Sequence, residues 1–116
     1  MKASYWQKGE SLDYINPTKK RIEAGTVLIL GKRIGIAGTD IEVGALGSVH
    51  VSGVYEFDKK DKEELAVGSE VYWTEDGITS AASSGEGTSA SSNVMAGFVA
   101  VKSSSDSQKV LVKINA

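Results

Sequence analysis

The chain contains no cysteine among its 116 residues, which removes disulfides, thiolate metal sites and cysteine nucleophiles together and leaves the redox compartment open. Long hydrophobic runs are missing too. The longest uninterrupted aliphatic stretch, Val27 to Leu30, is far too short to cross a bilayer, so no membrane partner is expected. Charge of one sign is also lacking: thirteen Lys and Arg against fifteen Asp and Glu leave a net charge of -2 and a pI near 5.4. Nothing therefore draws the chain toward phosphate backbones, and nucleic acid is not an expected partner. The single proline sits inside Asn16-Pro17-Thr18, where it blocks glycosylation of that sequon. Met1-Lys2-Ala3-Ser4-Tyr5-Trp6 leads into no apolar stretch of the signal-peptide kind, and synthesis in the cytoplasm is expected.

What is present fits one soluble globular domain, with hydrophobic residues at 41% and charged residues at 24%. A chain of this mass should fold to a surface of roughly 6,000 Å² from about 18,000 Å², a core that is stable without much margin. Thirteen glycines are unevenly spread, and seven of them fall between Gly25 and Gly53. Between them lie Thr26-Val27-Leu28-Ile29-Leu30, Arg33-Ile34-Gly35-Ile36-Ala37 and Ser48-Val49-His50-Val51-Ser52. Such spacing predicts brief strands joined by tight turns.

Alternation extends this reading. Val49, Val51, Gly53, Tyr55 and Phe57 share one parity, which predicts one strand with a dry face from Ser48 to Phe57. Val110, Val112 and Ile114 alternate with Lys109, Leu111 and Lys113 as a last strand. Val94 to Lys102 is apolar on both parities around Gly97, as suits a central strand bent there. Glu70-Val71-Tyr72-Trp73-Thr74 and Ile78-Thr79 are expected to form a hairpin turning at Asp76-Gly77. Asp58 to Leu65 has charge but too few apolar positions for a packed helix, so it is read as an exposed connection with at most one helical turn. The Ser/Gly-rich stretch 81–93 is read as a mobile loop. The expected fold is all-β: one small sandwich or barrel of short strands at 18–116, preceded by an N-terminal arm with first strands at 1–17.

Motifs for chemistry fail their own spacing tests. Gly25 to Lys32 has five residues before Gly31 where a Walker loop needs four, and Arg33 stands where that loop needs Ser or Thr. His50, the only histidine, lies on the polar parity of its strand and is read as a surface or interface residue. Asp40 and Glu42 share a strand face beside turn glycines, the place of a solvated edge. Lys19-Lys20-Arg21 is a small basic cluster without the aromatic stripe of a nucleic-acid groove. No catalytic residue, metal ligand, cofactor or small-molecule substrate is expected.

The aromatic residues are few and crowd the start: Tyr5, Trp6 and Tyr14 lie in the first fourteen positions. Amphipathic rings so placed either pack back on the domain or insert into a partner.

Read in order, several segments resemble a family of small tailed-phage and prophage proteins, the capsid cement or head decoration proteins, often labelled as recombinases. They are Gly9-Glu-Ser-Leu-Asp-Tyr-Ile-Asn16, Ile22-Glu-Ala-Gly-Thr-Val27, Ile34-Gly-Ile-Ala37, Thr39-Asp-Ile-Glu-Val-Gly44 and Gly47-Ser-Val-His-Val-Ser-Gly-Val-Tyr-Glu56. Gly68-Ser-Glu-Val-Tyr-Trp73, Ala96-Gly-Phe-Val-Ala100 and Val110-Leu-Val-Lys-Ile114 continue the pattern. It departs after Phe57 and after Thr79. The resemblance implies a β-tulip domain that forms a homotrimer on the exterior of the virion and clamps copies of the major capsid protein against the pressure of packaged DNA. It carries no catalytic residues. It marks the arm as the capsid contact, through Tyr5, Trp6, Leu12, Tyr14, Ile15 and Asn16. The rival reading is a small β-barrel that binds single-stranded nucleic acid in phage recombination, which requires a basic groove lined with aromatics.

Overall fold

Short β-branched pieces set between glycines produce strands and, among the described residues, no helix. The computed structural model describes residues 1–84 and 91–116. Its strands are β1 (Ser11–Ile15), β2 (Val27–Leu30), β3 (Arg33–Ala37), β4 (Leu46–His50), β5 (Val54–Asp58) and β6 (Glu70–Thr74). They continue with β7 (Gly77–Thr79), β8 (Ser83–Ser84), β9 (Ser91–Ser92), β10 (Val94–Val101) and β11 (Lys109–Ile114). The chain is thus the small all-β single domain that its patterning predicts. One four-stranded antiparallel sheet has the order β1-β4-β3-β2, and a five-stranded one has the order β5-β11-β10-β6-β7.

The five-stranded sheet curls until its ends meet. Ile78 of β7 bridges to Lys59, just past β5, and the Lys60 N–H donates to the Ile78 carbonyl at 2.9 Å. Phe57, Val71, Ile78, Val99, Val110 and Val112 fill its interior, and Ile34 and Ile36 of β3 pack on them from the other sheet. A second, smaller cluster of Ile22, Ala37, Ile41 and Val49 covers the opposite face of the four-stranded sheet.

The central strand β10 bends at Gly97 as expected, with a register shift against β6 between Met95 and Gly97. A Cβ at Gly97 would collide with the Lys113 carbonyl of β11, and its φ is 147°. Two neighbouring expectations are corrected. Ser48 to Phe57 is not one strand: the chain leaves β4, turns through Gly53 at φ 124°, and enters the other sheet as β5. The parity survives the break because Val49 faces one core and Phe57 the other. The β6–β7 hairpin turns on Glu75-Asp76, with Thr74 opposite Gly77. Gly77 is needed in the strand itself, since a Cβ there would meet the Lys60 nitrogen at 2.7 Å.

No helical turn forms between Asp58 and Leu65. That connection is held by Lys59, whose Nζ donates to the carbonyls of Glu63 at 2.6 Å and Ser104 at 2.8 Å. Of the loop expected at 81–93, β8 and β9 pair as a two-residue ribbon, and residues 85–90 lie outside the described residues.

The two sheets are tied by Asn115, just past β11. Its Nδ2 donates to the carbonyls of Ile34 at 2.8 Å and Val51 at 2.9 Å, and its Oδ1 accepts from the Ile34 N–H at 3.3 Å. It is left-handed, at φ 56°, a conformation Asn tolerates better than most residues. Asn115→Ala is therefore expected to cost about 2–4 kcal/mol, combining unpartnered backbone groups with a strained backbone. Asn115→Gly, which keeps the backbone relaxed, should lose about 1 kcal/mol less. Urea denaturation of both variants checks that order; equal losses would remove the backbone part of the account.

Candidate functional site

Four β-turns of one design set the loops around both cores. Each is closed by an N–H to the carbonyl three residues earlier: Thr26 to Glu23 at 3.2 Å, Ala45 to Glu42 at 3.0 Å, Ser69 to Ala66 at 3.1 Å and Ser107 to Ser104 at 3.1 Å. Each is preceded by a bridging residue, and the bridges pair Ile22 with Ile41 and Leu65 with Ser103. Gly25, Gly44 and Gly68 hold the third turn position at φ 88°, 74° and 87°, the left-handed conformation that a type II turn demands. The signal was present as a recurring Ile/Leu-x-x-Gly at Ile22, Ile41 and Leu65. Its unequal spacing, and Asp106 in place of glycine in the fourth copy, hide it from a search for a fixed period.

Asn16 seats the second of these turns. Its N–H donates to the Ala45 carbonyl at 3.1 Å and its carbonyl accepts the Gly44 N–H at 3.0 Å. Its side-chain Nδ2 donates to the carbonyls of Lys20 at 2.8 Å and Ile41 at 3.0 Å, while Oδ1 accepts from the Thr18 N–H and hydroxyl at 2.9 and 2.6 Å. The residue is 1% exposed. Of the six side chains offered as partner contacts, Asn16 is thus committed inside the domain, through partners that its local sequence does not reveal.

The other five sit differently. Tyr5 and Trp6, in a segment without regular structure before β1, are 85% and 90% exposed. Leu12 and Ile15 are exposed on β1, whereas Tyr14 is half-buried against the second core cluster. β1 is an edge strand whose sole hydrogen-bonded neighbour among the described residues is β4. The Val51 N–H donates to the Glu10 carbonyl at 2.9 Å, fixing the point where the exposed segment leaves the sheet.

The charged candidates largely meet one another. Arg21 of the basic cluster reaches Asp40 at 2.5 Å and Glu42 at 2.9 Å, so the two acids noted on one strand face bind the cation noted in another segment. Asp40 also accepts the Ala24 N–H at 2.8 Å. Across β5 and β11, the hydrogen-bonded Asp58 carboxylate holds the Lys109 ammonium above the ordinary lysine range. Among the described residues, no three of His, Asp and Glu gather in a metal-binding group, and every buried side-chain polar atom has a hydrogen-bond partner. His50 lies half-buried, its ring against Gly38 in a cleft of about 440 Å³ beside Tyr55 and Glu56. The arrangement offers an apolar edge and an exposed aromatic pair for association.

The sequence model of the phage cement protein family matches residues 6–114. No curated protein and no solved structure matches the chain. Trp6 opens the matched span, which also contains Leu12, Tyr14, Ile15 and Asn16; Tyr5 precedes it.

Asn16→Ala removes four side-chain hydrogen bonds at a buried position and is expected to cost about 2–3 kcal/mol. Leu12→Ala, at an exposed edge position, should cost under about 1 kcal/mol. Thermal and denaturant unfolding compare the two; similar losses would reject the internal role given to Asn16.

Proposed function

The chain belongs to the phage cement protein family, and from that premise we propose that it is a capsid decoration subunit, binding the outer surface of the mature capsid as a trimer. In this role it ties neighbouring copies of the major capsid protein against the internal pressure of packaged DNA. It is encoded by a phage or prophage, made in the cytoplasm of the bacterial host, and acts without catalysis.

The observation that carries the capsid reading is the family match over nearly the whole chain. The exposed Tyr5 and Trp6, in the segment ahead of β1, support the arm as the contact. Two amphipathic rings supply large contact area at low entropic cost. A net charge of -2 keeps such a subunit from competing for packaged DNA. Repetition of the contact over a shell turns modest single-site affinity into strong retention. The single-stranded nucleic-acid reading finds less support, because Arg21 in the basic cluster is engaged by two carboxylates.

The test is co-sedimentation of the purified protein with expanded capsids. Deletion of residues 1–9 spares β1 and Asn16 and should leave the unfolding midpoint within a few degrees while weakening capsid binding at least tenfold. Trp6→Ala should account for a large part of that loss, as an aromatic anchor of about 2 kcal/mol or more does. Undiminished binding by the deletion variant would reject the arm as the contact. Salt-sensitive binding of single-stranded DNA without capsid binding would reject the function itself.

A further inference from the structure

The four-stranded sheet has two free edges, and they are complementary. Among the described residues, β1 and β2 each have a single hydrogen-bonded neighbour, β4 and β3 respectively. Each successive pair in β1-β4-β3-β2 is antiparallel, so the two edge strands run in opposite directions. If β1 of one copy is placed beside β2 of another in the same orientation, the antiparallel alternation continues without interruption.

The side chains agree with the backbone. Residues directly opposite in an antiparallel pair share a face. Ile15 faces Leu46, and Ile29 faces Ile34. Following the pairing of Ile36 with His50 across β3 and β4 puts Ile15, Leu46 and Ile29 on one face of the sheet. They are 62%, 65% and 42% exposed, at its two opposite sides. β2 is also an undefended edge. Val27-Leu28-Ile29-Leu30 carries no charge, proline or bulge, the devices by which free edges normally avoid pairing.

We propose that a second copy of this chain occupies each edge, β1 of one subunit pairing with β2 of the next, so that the sheet continues head to tail and closes as a ring. Such an interface is heterologous, and closure leaves no free edge. The proposal rests on the trimer of the proposed function and assigns its contact surface.

The absence of cysteine makes the test clean. Ile15 and Ile29 lie three strand spacings apart within a subunit, about 14 Å, beyond the roughly 7 Å that a disulfide can span. Three double variants, Ile15→Cys, Asp13→Cys and Ser11→Cys, each combined with Ile29→Cys, cover the registers that put a residue of this face of β1 opposite Ile29. After oxidation, at least one should run as a covalent trimer on a non-reducing gel and return to monomer with dithiothreitol, while the single variants stay uncrosslinked. Ile29→Lys should weaken trimer association at least tenfold in sedimentation velocity without altering the β-sheet circular dichroism. A wild-type trimer in which none of the three double variants crosslinks would overturn the proposed edge pairing and leave the capsid function standing. Dimers from Ile29→Cys alone would overturn it in favour of two-fold pairing. A chain that sediments as a monomer yet binds capsids would overturn the ring and the trimer together, and one that binds no capsid fails the function on separate grounds.

Discussion

The structure depends on β3 being buried on both of its faces. Ile34 and Ile36 point into the barrel-like sheet, while Gly35 and Ala37 face the second core. The alternation of large and small is enforced by space: a Cβ on Gly35 would run into the Val49 side chain of β4 and meet Leu30 at 3.0 Å. One five-residue strand thereby joins two clusters, neither of which is large enough to be a comfortable core alone. Its backbone is held just as firmly, because Asn115 bonds both the N–H and the carbonyl of Ile34.

Around that strand, the repeated turns spread ordering over the sheet margins. Gly25, Gly44 and Gly68 donate their N–H groups to the carbonyls of Ala37, Asn16 and Val99, the first two beside the four-stranded sheet and the third in the five-stranded one. In all three cases the anchor's own N–H returns to the carbonyl of the residue after the same glycine: Ala37 to Thr26, Asn16 to Ala45 and Val99 to Ser69. Each turn therefore satisfies backbone groups that a short strand end would otherwise leave to solvent or bury unpaired. A small domain without disulfides gains rigidity from this repetition of local bonding, where a larger one would rely on core volume.

The strands were legible where period and punctuation are local properties. Val27 to Leu30, Arg33 to Ala37, the bent central strand and the last strand all follow from alternation and glycine placement. What the sequence concealed is set by distant partners. Whether Ser48 to Phe57 is one strand or two depends on which sheet receives Tyr55, and parity is blind to that. The hairpin at Glu75-Asp76 is offset by one residue from the Asp-Gly rule because Gly77 must make room for the backbone at Lys59 and Lys60. Asn16 sits in a polar, proline-containing stretch that reads as surface, yet Ile41, a partner twenty-five residues away, helps bury it. The Arg21 pairing was likewise invisible, since Asp40 and Glu42 come from another segment. The crowding of aromatic rings at Tyr5 and Trp6 was legible by composition, but whether they pack back on the domain or stay exposed was not.

On the proposed reading, a cement subunit must hold under tension, and the bonding around β1 suits that demand. Antiparallel hydrogen bonds run perpendicular to their strands. A pull on residues 1–9 directed along β1 therefore loads the β1–β4 ladder as a set, from Ser11 to Ile15, in place of opening it one bond at a time. Beyond the ladder the far end is fixed by Asn16, through its backbone to the Gly44 turn and through its side chain to Ile41 and Lys20. At the near end, the Glu10 carbonyl is bonded to Val51, whose own carbonyl accepts from Asn115 beside the other sheet. Force applied to the arm would thus pass into both cores within a few bonds. In that account Asn16 matters to capsid attachment without touching the capsid: it stands where the load of the contact is carried into the fold.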